Sequence, residues 1–334
     1  CAFAAPGAAR AEDAKESLTE RSSLLDVPNG PKDFLRHYGI STDIWVTQIY
    51  QGLATGEGSK TWRDGGKVDG FLKIDGEKLG LWQGFSFSAQ YEHYFGSDVN
   101  GFAGTLLPVN TALAFLHTGG FHSALSLNVT QQFDERFSIS VGKFNMITAA
   151  SRTPLLGGGG IDTFMNLGLA APITGVTPPY IIGGMATLKT EPAAFTLMLY
   201  DPRNAQIPRV IERPFEKGVT AALSAMIPTE IAGLRGYHTL RGTYSNLRGL
   251  DLDDIPQLRL PQQAREIDKK QGYRYFSYSL QQNLVQSESN PAAGWGLFTQ
   301  VSTSDGNPNP LKWVVIAGLA GNTLLPGRED DRWG

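Results

Sequence analysis

Asp69, Lys73, Asp75, Glu92, Lys189 and Arg241 are placed to do chemistry together, because strand alternation puts each on the polar face of a two-faced stretch. Acid and base groups on one polar face can bind a polar solute through hydrogen bonds and charge. That is binding chemistry, and the sequence offers little for covalent chemistry. It contains no G-x-S-x-G, H-E-x-x-H, Walker A or dinucleotide fingerprint. Ser–His pairing is open only to His93 with Ser88 or Ser97, and to His238 with Ser245, none of them in a motif. Five His and one Cys leave no zinc cluster and no disulfide framework. Asp251, Asp253 and Asp254 miss the EF-hand spacing and read as a solvated loop. The Gly157–Gly160 run lacks the Lys-Ser/Thr ending of a phosphate cradle, and is expected to let a long loop bend sharply into an interior. No cofactor and no metal are implied.

The elements that must position these residues are strands. In Gly84–Gly96, Phe85, Phe87, Ala89 and Tyr91 share one face while Ser86, Ser88, Gln90 and Glu92 share the other. The pattern returns in Leu125, Leu127 and Val129, in Phe137, Ile139 and Val141, and in Phe195, Leu197 and Leu199; Val219 to Ala225 is a weaker case. Twelve strands are expected, at about 40–50, 67–78, 84–95, 122–133, 136–145, 180–190, 193–201, 217–229, 234–246, 272–285, 294–304 and 311–321. Many have the length a tilted strand needs to cross a bilayer.

The connections alternate. Long ones fall near 51–66, 96–121, 146–179, 202–216 and 247–271; short ones fall at Leu79–Gln83, Asp134–Glu135, Glu191–Pro192, Glu230–Gly233 and Glu288–Ala293. An up-and-down barrel in an outer membrane has this asymmetry, and a sandwich gives no reason for it. The apolar faces carry no acid in mid-strand, and Lys143 falls on one near a strand end, where it is expected to snorkel. Tyr180, Tyr200, Tyr237, Tyr244, Tyr273, Tyr278 and Trp313 lie near strand ends, as girdle residues or as ordinary β-formers.

Composition agrees. Charged residues are 18%, below the usual quarter of a soluble chain, with 39 Gly and 10% aromatics. A mean hydropathy of -0.19 excludes a bundle of membrane helices. A net charge of -3 provides no basic field for nucleic acid. Residues 1–11 read as the tail of a secretory signal peptide, with Ala9-Arg10-Ala11 as its cleavage site; a lipid-bearing Cys1 is the alternative. Residues 12–38 are expected to be a leader holding one short helix, with Pro31 in its first turn, and residues 39–334 to be the barrel.

Several stretches resemble a known family. GKFNMITAASRTPLLGGGGIDTFMNLGLAAPITGVTPPY, YDPRNAQIPRVIERPFEKGV, GLRGYHTLRGTYSN, GWGLFTQVSTSDGNPNPLKW and GLAGNTLLPGREDDRWG, in that order, resemble the carbohydrate-selective outer-membrane porins of OprB type. The resemblance runs from about Leu25 to Gly334. It implies an all-β, antiparallel, up-and-down transmembrane barrel of sixteen strands in the bacterial outer membrane, often trimeric, passing glucose and similar small sugars by diffusion. With about twelve strands counted, the sequence is expected to be a piece of a longer chain. A sugar pore needs a polar constriction, for which Glu92 and Arg241 are the first candidates. Arg152 and Asp162 would join them from the 146–179 loop, with Lys73 and Asp75 on the wall. Trp62 is either a sugar-stacking ring or a girdle residue. The rival functions are an outer-membrane barrel hydrolase of phospholipase type and a secreted carbohydrate-binding β-sandwich.

Overall fold

The computed structural model describes residues 30–100, 107–114, 122–153, 155, 164–170, 177–207, 213–254, 268–287, 290, 293–325, 328 and 331–334. The signal-peptide reading of residues 1–11, the Gly157–Gly160 run and Asp162 lie outside them.

Helix α1 (Pro31–His37) opens the described chain, with Pro31 in its first turn where a missing N–H leaves no bond unmade. The strands follow as β1 (Ile40–Gln51), β2 (Arg63–Asp75), β3 (Phe85–Gly96), β4 (Ser123–Gln132), β5 (Phe137–Asn145), β6 (Tyr180–Lys189), β7 (Ala194–Tyr200), β8 (Thr220–Ile231), β9 (Leu234–Leu250), β10 (Lys269–Gln286), β11 (Gly294–Ser304), β12 (Trp313–Asn322) and β13 (Arg332–Trp333). Helices α2 (Met146–Ser151) and α3 (Leu167–Ala170) lie between β5 and β6. The sequence pattern leads to twelve strands, and β13 is the addition. It is a two-residue pairing against Gly321 and Asn322, too short to leave a periodic signal. The second strand begins at Arg63 rather than near 67, because Gly65 and Gly66 break the alternation by which a start is recognised.

All thirteen strands form one sheet in which each pairs antiparallel with its neighbour in sequence. Two facing sheets are absent from the described residues, which removes the sandwich. The registers confirm the shared polar face. Asp69 lies opposite Glu92, Lys73 opposite Ser88, Asp75 opposite Ser86, and Arg241 between Ser224 and Ser277. The opposite face carries Val46 (71% exposed), Leu127 (42%), Val141 (53%), Leu223 (54%) and Val315 (57%). So wide an apolar surface is costly in water and natural against lipid chains. No described helix is long and apolar enough to cross a membrane.

The described residues between β5 and β6 reach into the interior. Pairing of β4 with β5 ends at Leu127 and Lys143, yet β5 and β6 stay paired to Asn145 and Tyr180. Gly142, at φ 146°, stands where they part: a Cβ there would collide with the Leu127 carbonyl, so only glycine permits the close approach. Past it both faces of the hairpin end are buried. Phe144 and Ile181 pack with Met198, Tyr200 and Ala222, while Asn145 and Tyr180 meet β3. Further on, Phe164 packs edge-on against Phe298 of β11, with ring centroids 5.6 Å apart. The same segment is held from the other side by Thr111, whose amide and hydroxyl both donate to the Met165 carbonyl at 2.7 and 2.8 Å. Lys143 does not snorkel. It is buried, and its amine donates to the Ile207 carbonyl.

Candidate functional site

Three charged side chains of β2 and β3 point into the interior and bond to one another. Lys67 Nζ lies 2.9 Å from Glu92 Oε1 and 3.1 Å from Asp69 Oδ2, and all three residues are at most 8% exposed. Two carboxylates share one ammonium, and neutral amides supply the remaining donors. Gln90 Nε2 donates to Asp69 Oδ1 at 3.1 Å. Asn145 Nδ2 donates to Glu92 Oε2 at 2.9 Å and to the Tyr180 hydroxyl at 3.1 Å. Buried charges are tolerable only when paired and hydrogen-bonded in this way.

Asn145 also fixes what enters the interior. Its Oδ1 accepts from the backbone N–H groups of Ile147 and Thr148 at 3.0 and 3.1 Å, capping the first turn of α2. One amide therefore ties the helix to the carboxylate wall. Arg152, immediately after α2, is brought over a cavity of about 370 Å³ that Asp43, Trp45, Lys67, Asp69, Glu92 and Tyr94 also line. The cavity presents carboxylates, an ammonium, a guanidinium, hydroxyls and aromatic faces. Such a lining can exchange hydrogen bonds with a polyol and stack on its C–H surfaces, and none of its described residues are arranged as nucleophile and base.

Residues 218–334 match the family model described as "Carbohydrate-selective porin, OprB family". The whole described sheet has the OprB fold: the high-pH structure of Pseudomonas putida OprB is similar with a TM-score of 0.73 at 16% identity, over 90% of this chain and 75% of that one. The low-pH structure of the same protein gives 0.49 at 12% identity, over 90% and 77%. Pseudomonas aeruginosa OccK8 (OprE) gives 0.33 at 9%, over 79% and 66%. No curated protein matches the chain.

Within this OprB fold the residues expected at the constriction separate into groups. Glu92 and Arg152 line one cavity. Arg241 is on the same inner face but elsewhere: its Nη2 donates to Thr177 Oγ1 at 2.9 Å, anchoring the end of the inserted segment to β9. Lys73 is exposed on the inner wall, outside that cavity lining. Asp75 is corrected to a turn residue, since its Oδ1 accepts from the N–H groups of Glu77 and Lys78 at 3.1 and 3.4 Å. Trp62 stacks on Tyr50 with centroids 5.2 Å apart, and Tyr50 shares the outer face with Ile44 and Val46, so the ring belongs to the rim. Of the end-of-strand aromatics, Tyr244 and Trp313 are exposed outward, whereas Tyr180 and Tyr200 are buried inside.

The hydrolase candidates rearrange too. His93 Nδ1 lies 3.0 Å from Ser123 Oγ, not near Ser88, which faces the interior. His238 Nδ1 bonds the Tyr278 hydroxyl at 2.6 Å, not Ser245. Neither ring is bonded to an acid or amide that would orient it as a base.

The sequence reading missed Lys67, Tyr94, Asn145 and Trp45. Lys67 shares strand and parity with Asp69, a signal that was present, whereas Trp45 joins them only through the β1–β2 register. Asn145 carried none, because its roles depend on the hairpin leaving the wall.

Proposed function

We propose that this protein is an outer-membrane porin for passive diffusion of small sugars of the glucose class, with the Glu92–Arg152 cavity as its constriction. The observation that carries the reading is the capped helix α2, held on Glu92 through Asn145, which suspends Arg152 over the buried Lys67–Asp69–Glu92 cluster inside an OprB-type sheet. Sugar hydroxyls exchange water for the carboxylates, amides and guanidinium. The rings of Trp45 and Tyr94 take the C–H faces. Opposed charges keep net field low, so binding stays weak enough for release. Mechanism here means selection, not catalysis, and matches the family model's description of a carbohydrate-selective porin. Assembly as a homotrimer and export by a signal peptide complete the proposal.

Liposome swelling with the refolded full-length protein tests it, comparing glucose with a disaccharide and with a similar-sized amino acid. Glucose is expected to enter fastest, and Glu92→Ala to change glucose entry or its block of single-channel current. Equal entry of all three solutes would leave a size-limited pore, and unchanged behaviour of the variant would remove Glu92 from the constriction.

A further inference from the structure

A second cavity, of about 400 Å³, lies on the far side of Arg152 against β9 to β13. Its charged lining is of one sign: Arg152, Arg235 and Arg332, accompanied by neutral hydrogen-bonding groups of Tyr237, Gln281 and Asn283. No carboxylate lines it among the described residues, and none of the three guanidinium groups forms a salt bridge with a described residue. Glu230 faces Arg235 across the β8–β9 register, yet it neither lines the cavity nor pairs with that side chain. The first cavity thus mixes both signs and the second carries only one. Low-dielectric walls focus the field of like charges onto whatever occupies the space between them.

We propose that this second cavity is a binding site for sugar acids, in which a carboxylate is held by the arginines and the hydroxyls by the neutral groups. A guanidinium presents paired N–H donors in the geometry of a carboxylate, a match that an ammonium lacks. The volume falls in the range of small-molecule sites. Tyr237, Gln281 and Asn283 add neutral hydrogen-bonding groups beside the arginines, of a kind that the hydroxyls of a polyol body can engage. Arg152 lines both cavities, which puts this site beside the proposed neutral-sugar constriction. The binding goes beyond the glucose reading, and only its consequence for transport rests on the channel.

The test uses the full-length protein in planar bilayers with sodium glucuronate, glucose and inorganic phosphate as probes of current block. Glucuronate is expected to half-block at a concentration about threefold below that of glucose, the size of one solvent-exposed ion pair. Arg235→Gln, and separately Arg332→Gln, should remove that advantage and leave glucose block unchanged. Calorimetric titration of glucuronate into the detergent-solubilised protein reads binding without conduction, so a non-conducting barrel that still binds would fail the porin reading alone. Equal block by the two sugars, unchanged glucuronate block in both variants, or phosphate matching glucuronate would overturn the proposal.

Discussion

The β1–β3 wall and the β9–β13 wall both offer charge to the interior, and they do so in opposite ways. On the first, Lys67, Asp69 and Glu92 are buried and spend their charge on one another. On the second, Arg235 and Arg332 reach the interior without an acidic partner among the described residues. The first arrangement is stiff, since each group holds the next, and it can position a neutral solute. The second leaves its hydrogen-bonding capacity to an incoming anion. Described residues of the inserted segment touch both walls, Asn145 on Glu92 and Phe164 on Phe298, and Arg152 lines both cavities.

The largest expected effect breaks the compensated side. Lys67→Met leaves two buried carboxylates without their cation and should destabilise the refolded barrel by about 3–5 kcal/mol in urea titration. A variant as stable as the parent would mean that the cluster is hydrated rather than dry. Next, an arginine that is harmless facing inward from β9 should be costly facing outward. Leu127→Arg, at an outer-face position, is expected to lose about 2–4 kcal/mol on folding into bilayers. Normal folding yield would take Leu127 off the lipid surface.

A smaller effect belongs to Asp201, just beyond β7. Burial pushes its carboxyl up, but hydrogen bonds from the Arg203 side chain and from the backbone N–H groups of Arg203 and Phe215 outweigh this and hold it below the usual carboxylate range. A folded value below the unfolded one contributes stability above the ordinary carboxylate pKa, and loses it as pH falls through the folded value. Asp201→Asn should therefore cost about 1 kcal/mol near neutral pH, and the gap to the parent should close on acidification. A gap independent of pH would assign the loss to packing. Least of all, Arg235→Gln should alter stability by less than about 0.5 kcal/mol, because it breaks no pair. A marked loss would show that the cationic wall is structural.

Much of this was legible in the residues. Period-two alternation in Phe85–Tyr91 and Leu125–Val129, with short connections at Asp134–Glu135 and Glu230–Gly233, determines strands, their order and which face is apolar, because those depend only on neighbours along the chain. It therefore placed Glu92, Asp69 and Arg241 on the inner face correctly. It did not decide which inner-face residues meet. Glu92 and Arg241 share a face without sharing a cavity, and Asp75 serves its own turn. Tyr180 and Tyr200 look like girdle residues in sequence and are buried inside, because the β5–β6 hairpin leaves the wall at Gly142. Only the tertiary structure decided that Asn145 would cap a helix and hold a carboxylate at once, and that Arg152 would stand between two cavities. Those outcomes depend on a loop closing across the interior, where contacts join residues more than fifty positions apart and no local period records them.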